Sequence, residues 1–190
     1  MNKAQRELNP ANLLTALRII SVPVFLVFLY FDKPLLNVIA CVIYTVFAVT
    51  DYVDGYIARK YNMVTDLGKI LDPVADKIFV AATMIALVEM GRLEGFVLMI
   101  ILTRDFAVGA LRNLAASKGI IIAAGNAGKW KTGFQMTGVG CIIFKNSLFG
   151  LNVHLIGTIL VYISLIFSMY SAWEYFRGYY RKPADENSKA

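Results

Sequence analysis

Two apolar runs in this chain are too short to cross a membrane unless they take aspartates in with them. Residues 35–50 supply 16 uncharged, mostly apolar positions and residues 78–88 supply 11, whereas a helix needs about 20 to span the hydrocarbon core. The first run reaches that length only by absorbing Asp51 and Asp54. The second must reach back through Lys77, Asp76 and Asp72. Two carboxylate pairs therefore belong below the membrane surface, where ionisable side chains are rare and by default functional.

The spacing within each pair has a geometric meaning. Asp51 and Asp54 are three residues apart, Asp72 and Asp76 four, so each pair projects from one face of its helix. A short connection makes the two helices antiparallel neighbours whose faces can meet. Four carboxylates in one small space repel one another, by about 4 kcal/mol per contact at about 4 Å and an effective dielectric near 20. Either some are protonated or a divalent cation sits among them, and all-oxygen ligands favour Mg²⁺ or Mn²⁺ over zinc or copper. Gly55 permits close approach of a backbone or ligand. Ala58 keeps the next turn narrow, and Arg59 offers a rigid fork suited to a phosphate oxygen.

The full pattern is Asp51-x-x-Asp54-Gly55-x-x-Ala58-Arg59, then Gly68-x-x-x-Asp72-x-x-x-Asp76. It resembles the signature of the CDP-alcohol phosphatidyltransferase family, with every fixed position matched. The resemblance implies transfer of a phosphatidyl group from CDP-diacylglycerol to an alcohol, with release of CMP. It implies that Asp51, Asp54, Asp72 and Asp76 hold Mg²⁺ or Mn²⁺, as two ions, and that Asp76 accepts the proton of the attacking hydroxyl. Arg59 would then steady the diphosphate, while Gly55, Ala58 and Gly68 leave room for cytidine and ribose. Asn12-x-x-Thr15-x-x-Arg18 resembles a polar run that many family members carry. The resemblance implies that these residues help line the nucleotide end of the pocket. It also suggests a homodimer. The plainer alternative is an intramembrane salt-bridge cluster without chemistry, but one arginine and one lysine cannot neutralise four carboxylates.

The fold expected is an all-α polytopic membrane protein of one domain over residues 1–180, followed by a disordered polar tail over 181–190. Hydrophobic residues make up 58% of the chain and the mean hydropathy is +0.60, which excludes an ordinary soluble domain. Six transmembrane helices are expected at about 12–31, 35–60, 70–91, 94–117, 130–149 and 153–178, after a short interfacial segment ended by Pro10. The third helix has two possible starts. Thr65 and Asp66 can cap it, leaving Pro73 as a mild kink, or Asp72 can cap with Pro73 in the first turn. The first is preferred because the second diverts the Asp72 carboxylate from metal binding.

A net charge of +6 raises nucleic acid as a partner, but the distribution of charge speaks for topology. Only Lys33, Arg92 and Lys145 lie on the side opposite the termini, and the other 16 of the 19 basic residues gather on the terminal side. The positive-inside rule makes that side cytoplasmic, and the aspartate site should open to the cytosol. With the family resemblance, this places the chain in a bacterial cytoplasmic membrane, with no nucleic-acid partner. Cys41 and Cys141 read as packing residues and His154 as an interfacial one. Trp130, Trp173, Tyr175, Tyr179 and Tyr180 fit an aromatic belt.

A second group of ionisable residues lies later in the chain. Arg104, Asp105 and Arg112 share one apolar helix, and Lys129 and Lys131 open the next after a glycine-bearing turn. Four basic groups near a carboxylate-metal site suggest an anion besides the diphosphate, as a phosphorylated acceptor would bring. Among the family's acceptors, Arg104, Arg112, Lys129 and Lys131 favour glycerol 3-phosphate, with inositol phosphate the nearest rival. Pairing with Asp105 or Asp76 is the alternative role for Arg104. A cation transporter would need neither Gly55 and Ala58-Arg59 at fixed offsets nor a basic pocket. A purely structural subunit would not keep four unpaired acids in lipid.

Overall fold

Pro10 opens the first helix in a computed structural model of the protein, at a position where its missing N–H is no loss. The structure describes residues 10–60, 66–118, 125–148 and 150–187, with backbone alone at 10–19, 51–60, 66–74, 76 and 180–187. The expected interfacial segment before Pro10 lies outside the described residues, as do 61–65 and the glycine-bearing stretch 119–124. Within that description the helices are α1 (Pro10–Tyr30), α2 (Pro34–Lys60), α3 (Asp66–Glu89), α4 (Gly95–Ser117), α5 (Asn126–Phe144) and α6 (Val153–Asn187).

Two ends depart from expectation. Helix α5 stops at Phe144 rather than 149, because Lys145 takes a left-handed backbone (φ 58°) and polar residues follow. A two-stranded antiparallel hairpin fills the gap, β1 (Ser147–Leu148) against β2 (Leu151–Asn152), turning at Gly150 (φ 78°). Among the described residues the fold is therefore helical apart from one short ribbon. Helix α6 runs on to Asn187, through a stretch expected to be a disordered tail. It does so past Pro183, which lacks the N–H for one helical hydrogen bond, with the good helix formers Arg181, Lys182, Ala184 and Glu186 on either side.

Among the described residues one segment, Val153–Tyr179, is by itself long and apolar enough to cross a membrane, with a mean hydropathy of 1.9 over its most apolar 18 residues. Ile20–Tyr30 and Pro34–Thr50 are apolar but shorter.

The chain divides into two compact units, Met1–Arg92 with Gly140–His154 and Leu93–Val139 with Leu155–Ala190. In the first, α1 packs against both α3 and α2. Its core is aromatic: the Phe79 ring lies 5.4 Å from Phe25, 5.5 Å from Tyr44 and 5.1 Å from Phe47. A Cβ at Gly140 would sit 3.7 Å from the Tyr44 ring, so α5 meets α2 closely here. The Cys41 thiol donates to the Gly140 carbonyl at 3.5 Å, and both cysteines are free.

One end of this unit is tied by charge. Arg92, expected to be a topology charge, is buried; its guanidinium pairs with Asp32 and donates to Asn37 Oδ1 (3.1 Å) and the Ile143 carbonyl (3.4 Å). Lys145 Nζ reaches the same Asp32 carboxylate at 2.9 Å, and Asn37 Nδ2 donates to it at 3.2 Å. Hydrogen bonding to Lys145 leads the effects that hold the Asp32 carboxyl down at about 2, with Asn37 and Arg92 adding to it against a desolvation that acts the other way. His154, half-buried, places Nε2 3.2 Å from the Arg92 carbonyl and so fastens a turn. Asp32 shares with Lys145 the left-handed backbone that favours glycine (φ 46°).

In the second unit α4, α5 and α6 enclose Val97, Ile101, Val108, Leu111, Val139 and Val161. A Cβ at Gly138 would fall 2.9 Å from the Gly157 carbonyl oxygen, so the α5 and α6 backbones touch there. The Phe134 and Phe167 rings stack at 5.5 Å. A Cβ at Gly133 would meet open space.

Candidate active site

Helix α2 continues unbroken through positions 51, 54, 55, 58 and 59, and α3 through 68, 72 and 76. Helix α1 likewise carries positions 12, 15 and 18. The side chains of Asn12, Thr15, Arg18, Asp51, Asp54, Gly55, Ala58, Arg59, Gly68, Asp72 and Asp76 lie outside the described residues. The start of α3 at Asp66 decides between the two possible beginnings of that helix. Position 72 falls in its second turn and Pro73 lies inside it, so Asp72 is not the N-cap residue.

The described residues nearby fix the relation between the two backbones. Asn37 of α2 bonds to Arg92 just beyond α3, while Phe47 meets Phe79 edge-on at 82°. The helices therefore run antiparallel. One turn on from the Phe47–Phe79 contact, position 51 comes level with 75–76 and position 54 with 72. In helical register, position 51 continues the row of Tyr44 and Phe47, and positions 72 and 76 continue the row of Phe79 and Thr83. Tyr44, Phe79 and Thr83 are buried in the core of the unit.

The basic group resolves unevenly. Arg104 Nη1 pairs with Asp105 Oδ1 at 3.0 Å, and Lys131 pairs with the same oxygen. Arg104 Nε also donates to the Ser168 carbonyl at 2.9 Å. Arg104 and Lys131 are only 11% and 8% exposed along their side chains, and both converge on the one Asp105 carboxylate. Arg112 stands two turns further along α4, donating to the Tyr175 hydroxyl at 2.9 Å with its guanidinium 5.4 Å from that ring. Lys129 is exposed. Of the four basic residues expected to act together, the structure thus joins Arg104 and Lys131, sets Arg112 against an aromatic ring and leaves Lys129 at the surface.

Tyr175, read from sequence as part of an aromatic belt, is 5% exposed and orients Arg112. Sequence reasoning also passed over a polar row on α6. Ser164, Ser168, Ser171 and Tyr175 fall within one narrow arc of the helix and all are buried. Their 4-3-4 spacing inside an apolar helix was the available signal.

A model of the family described as CDP-alcohol phosphatidyltransferase matches residues 8–170. The chain belongs to the CDP-alcohol phosphatidyltransferase family. The match begins before Asn12 and ends beyond Ser168, so all the positions named on α1 to α5 fall inside it. Among similar proteins is the CDP-diacylglycerol--glycerol-3-phosphate 3-phosphatidyltransferase of Bacillus subtilis, 34% identical over 88% of this chain and 93% of that protein. A protein of the same name from Rickettsia bellii is 33% identical over 90% and 94%. A probable phosphatidylglycerophosphate synthase of Mycobacterium tuberculosis is 37% identical over 73% and 68%. The matched residues take in the antiparallel α2–α3 pair that carries positions 51, 54, 72 and 76.

Proposed function

We propose that this transferase moves the phosphatidyl group of CDP-diacylglycerol onto sn-glycerol 3-phosphate, giving phosphatidylglycerophosphate and CMP. A hydroxyl oxygen of glycerol 3-phosphate bonds to the phosphorus bearing the diacylglycerol, and the bond from that phosphorus to the CMP oxygen breaks. Asp76 takes the hydroxyl proton. Asp51, Asp54, Asp72 and Asp76 would hold two Mg²⁺ or Mn²⁺ ions, whose charge would offset the diphosphate and the departing CMP. The donor set fits such ions, being all carboxylate and carried on two antiparallel helices whose backbones come level at these positions.

Arg59 steadies the diphosphate, Gly55, Ala58 and Gly68 leave room for the nucleoside, and Asn12 and Thr15 line its far end. Arg104, Lys131 and Arg112 hold the acceptor's phosphate, with Lys129 drawing anions in from the rim. The single observation carrying the choice of acceptor is the convergence of two largely shielded cations, Arg104 and Lys131, at one place, an arrangement suited to the phosphate of an anionic acceptor. We place the chain in a bacterial cytoplasmic membrane as six spans, both termini and the site on the cytosolic side, acting as a homodimer. The two-chained lipid donor stays in the bilayer while its nucleotide faces the cytosol, and such a site meets both demands.

The test is turnover by the purified full chain with CDP-diacylglycerol, Mg²⁺ and radiolabelled glycerol 3-phosphate, then inositol phosphate. Absence of CMP release with both would overturn the catalytic reading. Selective use of inositol phosphate would reassign the acceptor.

A further inference from the structure

Two hydroxyls in the second unit are buried without employment. Ser168 and Ser171 are each 1% exposed, and neither Oγ has a hydrogen-bond partner among the described residues. Their neighbour in the same row, Ser164, behaves as a serine in an apolar helix normally does, bonding back to the Val161 carbonyl at 2.6 Å. Buried polar groups are almost always satisfied, so two adjacent exceptions on one helix face call for a ligand. Their surroundings say which kind. The Ser168 carbonyl accepts from Arg104, and Ser171 Oγ lies 3.5 Å from where a Cβ on Gly128 would be, in the first turn of α5. Lys131 is one turn further along α5 and pairs with Asp105, which also holds Arg104. Gly128 keeps the space before Ser171 free of a side chain.

We infer that Ser168 and Ser171 are specificity-determining residues that hydrogen-bond the hydroxyl groups of a phosphorylated polyol whose phosphate is taken by Arg104 and Lys131. The chemistry divides naturally. A phosphate is matched by cations, whereas a neutral alcohol both donates and accepts and is matched by a group that does the same. The inference rests on glycerol 3-phosphate as the acceptor and extends it to the residues that read its glycerol part.

The test compares Ser168→Ala, Ser171→Ala and the control Ser164→Ala in the full chain, reconstituted in mixed micelles. Each of the first two should raise the KM for glycerol 3-phosphate about fivefold and the pair about twentyfold, the loss of one and two neutral hydrogen bonds. The KM for CDP-diacylglycerol and competitive inhibition by inorganic phosphate should stay within twofold of wild type. Thermal stability without acceptor should be kept or raised, and the upward shift that glycerol 3-phosphate gives the wild-type midpoint should shrink. Ser164→Ala should leave both KM values unchanged. Should an alanine variant fail to fold, Ser168→Cys and Ser171→Cys keep the shape with a poor donor and should show the same KM rise. An unchanged acceptor KM would overturn the inference, as would equal loss for both substrates with a lowered thermal midpoint. A wild-type enzyme active on CDP-diacylglycerol but not on glycerol 3-phosphate would instead bring down the acceptor reading, and this inference with it.

Discussion

Phe47 and Phe79 meet edge to face, with ring centroids 5.1 Å apart, one helical turn from the aspartate positions of α2 and α3 alike. The contact is the last described tie between the two helices before the signature begins. Phe79 also touches Phe25 and Tyr44 and is 2% exposed. Phe79→Ala should therefore cost about 3–5 kcal/mol of stability. It should also lower kcat, because the carboxylates lose their common footing. Thermal unfolding and CMP release together check this, and a variant of normal kcat would show that the aspartates are positioned by something else.

Asp76→Asn keeps the size of the side chain but cannot accept a proton. Turnover should fall by at least about 10²-fold, while the donor still binds. Steady-state CMP release and equilibrium binding of CDP-diacylglycerol separate the two effects. Near-normal kcat would remove Asp76 from the role of base.

The basic residues should divide by burial. Lys131→Met removes a buried cation and should raise the acceptor KM about tenfold or more, as loss of a charge-assisted hydrogen bond does. Lys129→Met alters an exposed one, and its effect should stay below about threefold. Equal effects would mean that the pairing with Asp105 has no bearing on acceptor binding.

Asp32 gives a pH dependence of known sign. Its carboxyl is held at about 2 in the fold against an ordinary 3.8, so its contribution is complete above pH 4 and disappears as pH falls toward 2. After allowance for screening at a side chain 41% exposed, the contribution is about 1 kcal/mol. Thermal midpoints from pH 5 to pH 2 should fall more steeply for wild type than for Asp32→Asn. Parallel curves would show that the ion pairs do not act in solution.

Arg92 and Lys145 serve the same carboxylate from different depths, 3% and 43% exposed. Arg92→Met strands Asn37 and the Ile143 carbonyl as well, and should cost about 3 kcal/mol. Lys145→Met should cost no more than about 1 kcal/mol. Denaturant or thermal unfolding at pH 7 measures the difference.

Much of this architecture was legible in the residues. The period of the apolar runs gave six helices, and the shortness of two of them pulled the aspartates into α2 and α3, where the backbone indeed carries those positions. Less legible were features that arise only on packing. Arg92 and Lys145 looked like charges sorting a topology, since their meeting on Asp32 joins residues 60 and 113 positions away. Tyr175 looked interfacial because composition cannot reveal which face of α6 turns inward. The hairpin after Phe144 was missed because Leu148, Leu151 and their neighbours prolong the apolar pattern, while the left-handed backbone at Lys145 follows from no local preference. The serines of α6 stayed hidden for a related reason: a small hydroxyl in an apolar helix ordinarily satisfies itself.

The left-handed conformations of Asp32 and Lys145 place both members of one ion pair where glycine would be the relaxed choice. Each residue gives up backbone ease to keep its partner. Exchange of Lys145 for glycine would relax its turn and still leave Asp32 with Arg92, whereas exchange of Asp32 would relax the other turn and strip both cations of their carboxylate, so the two turns are unequal places at which to loosen this end of the molecule.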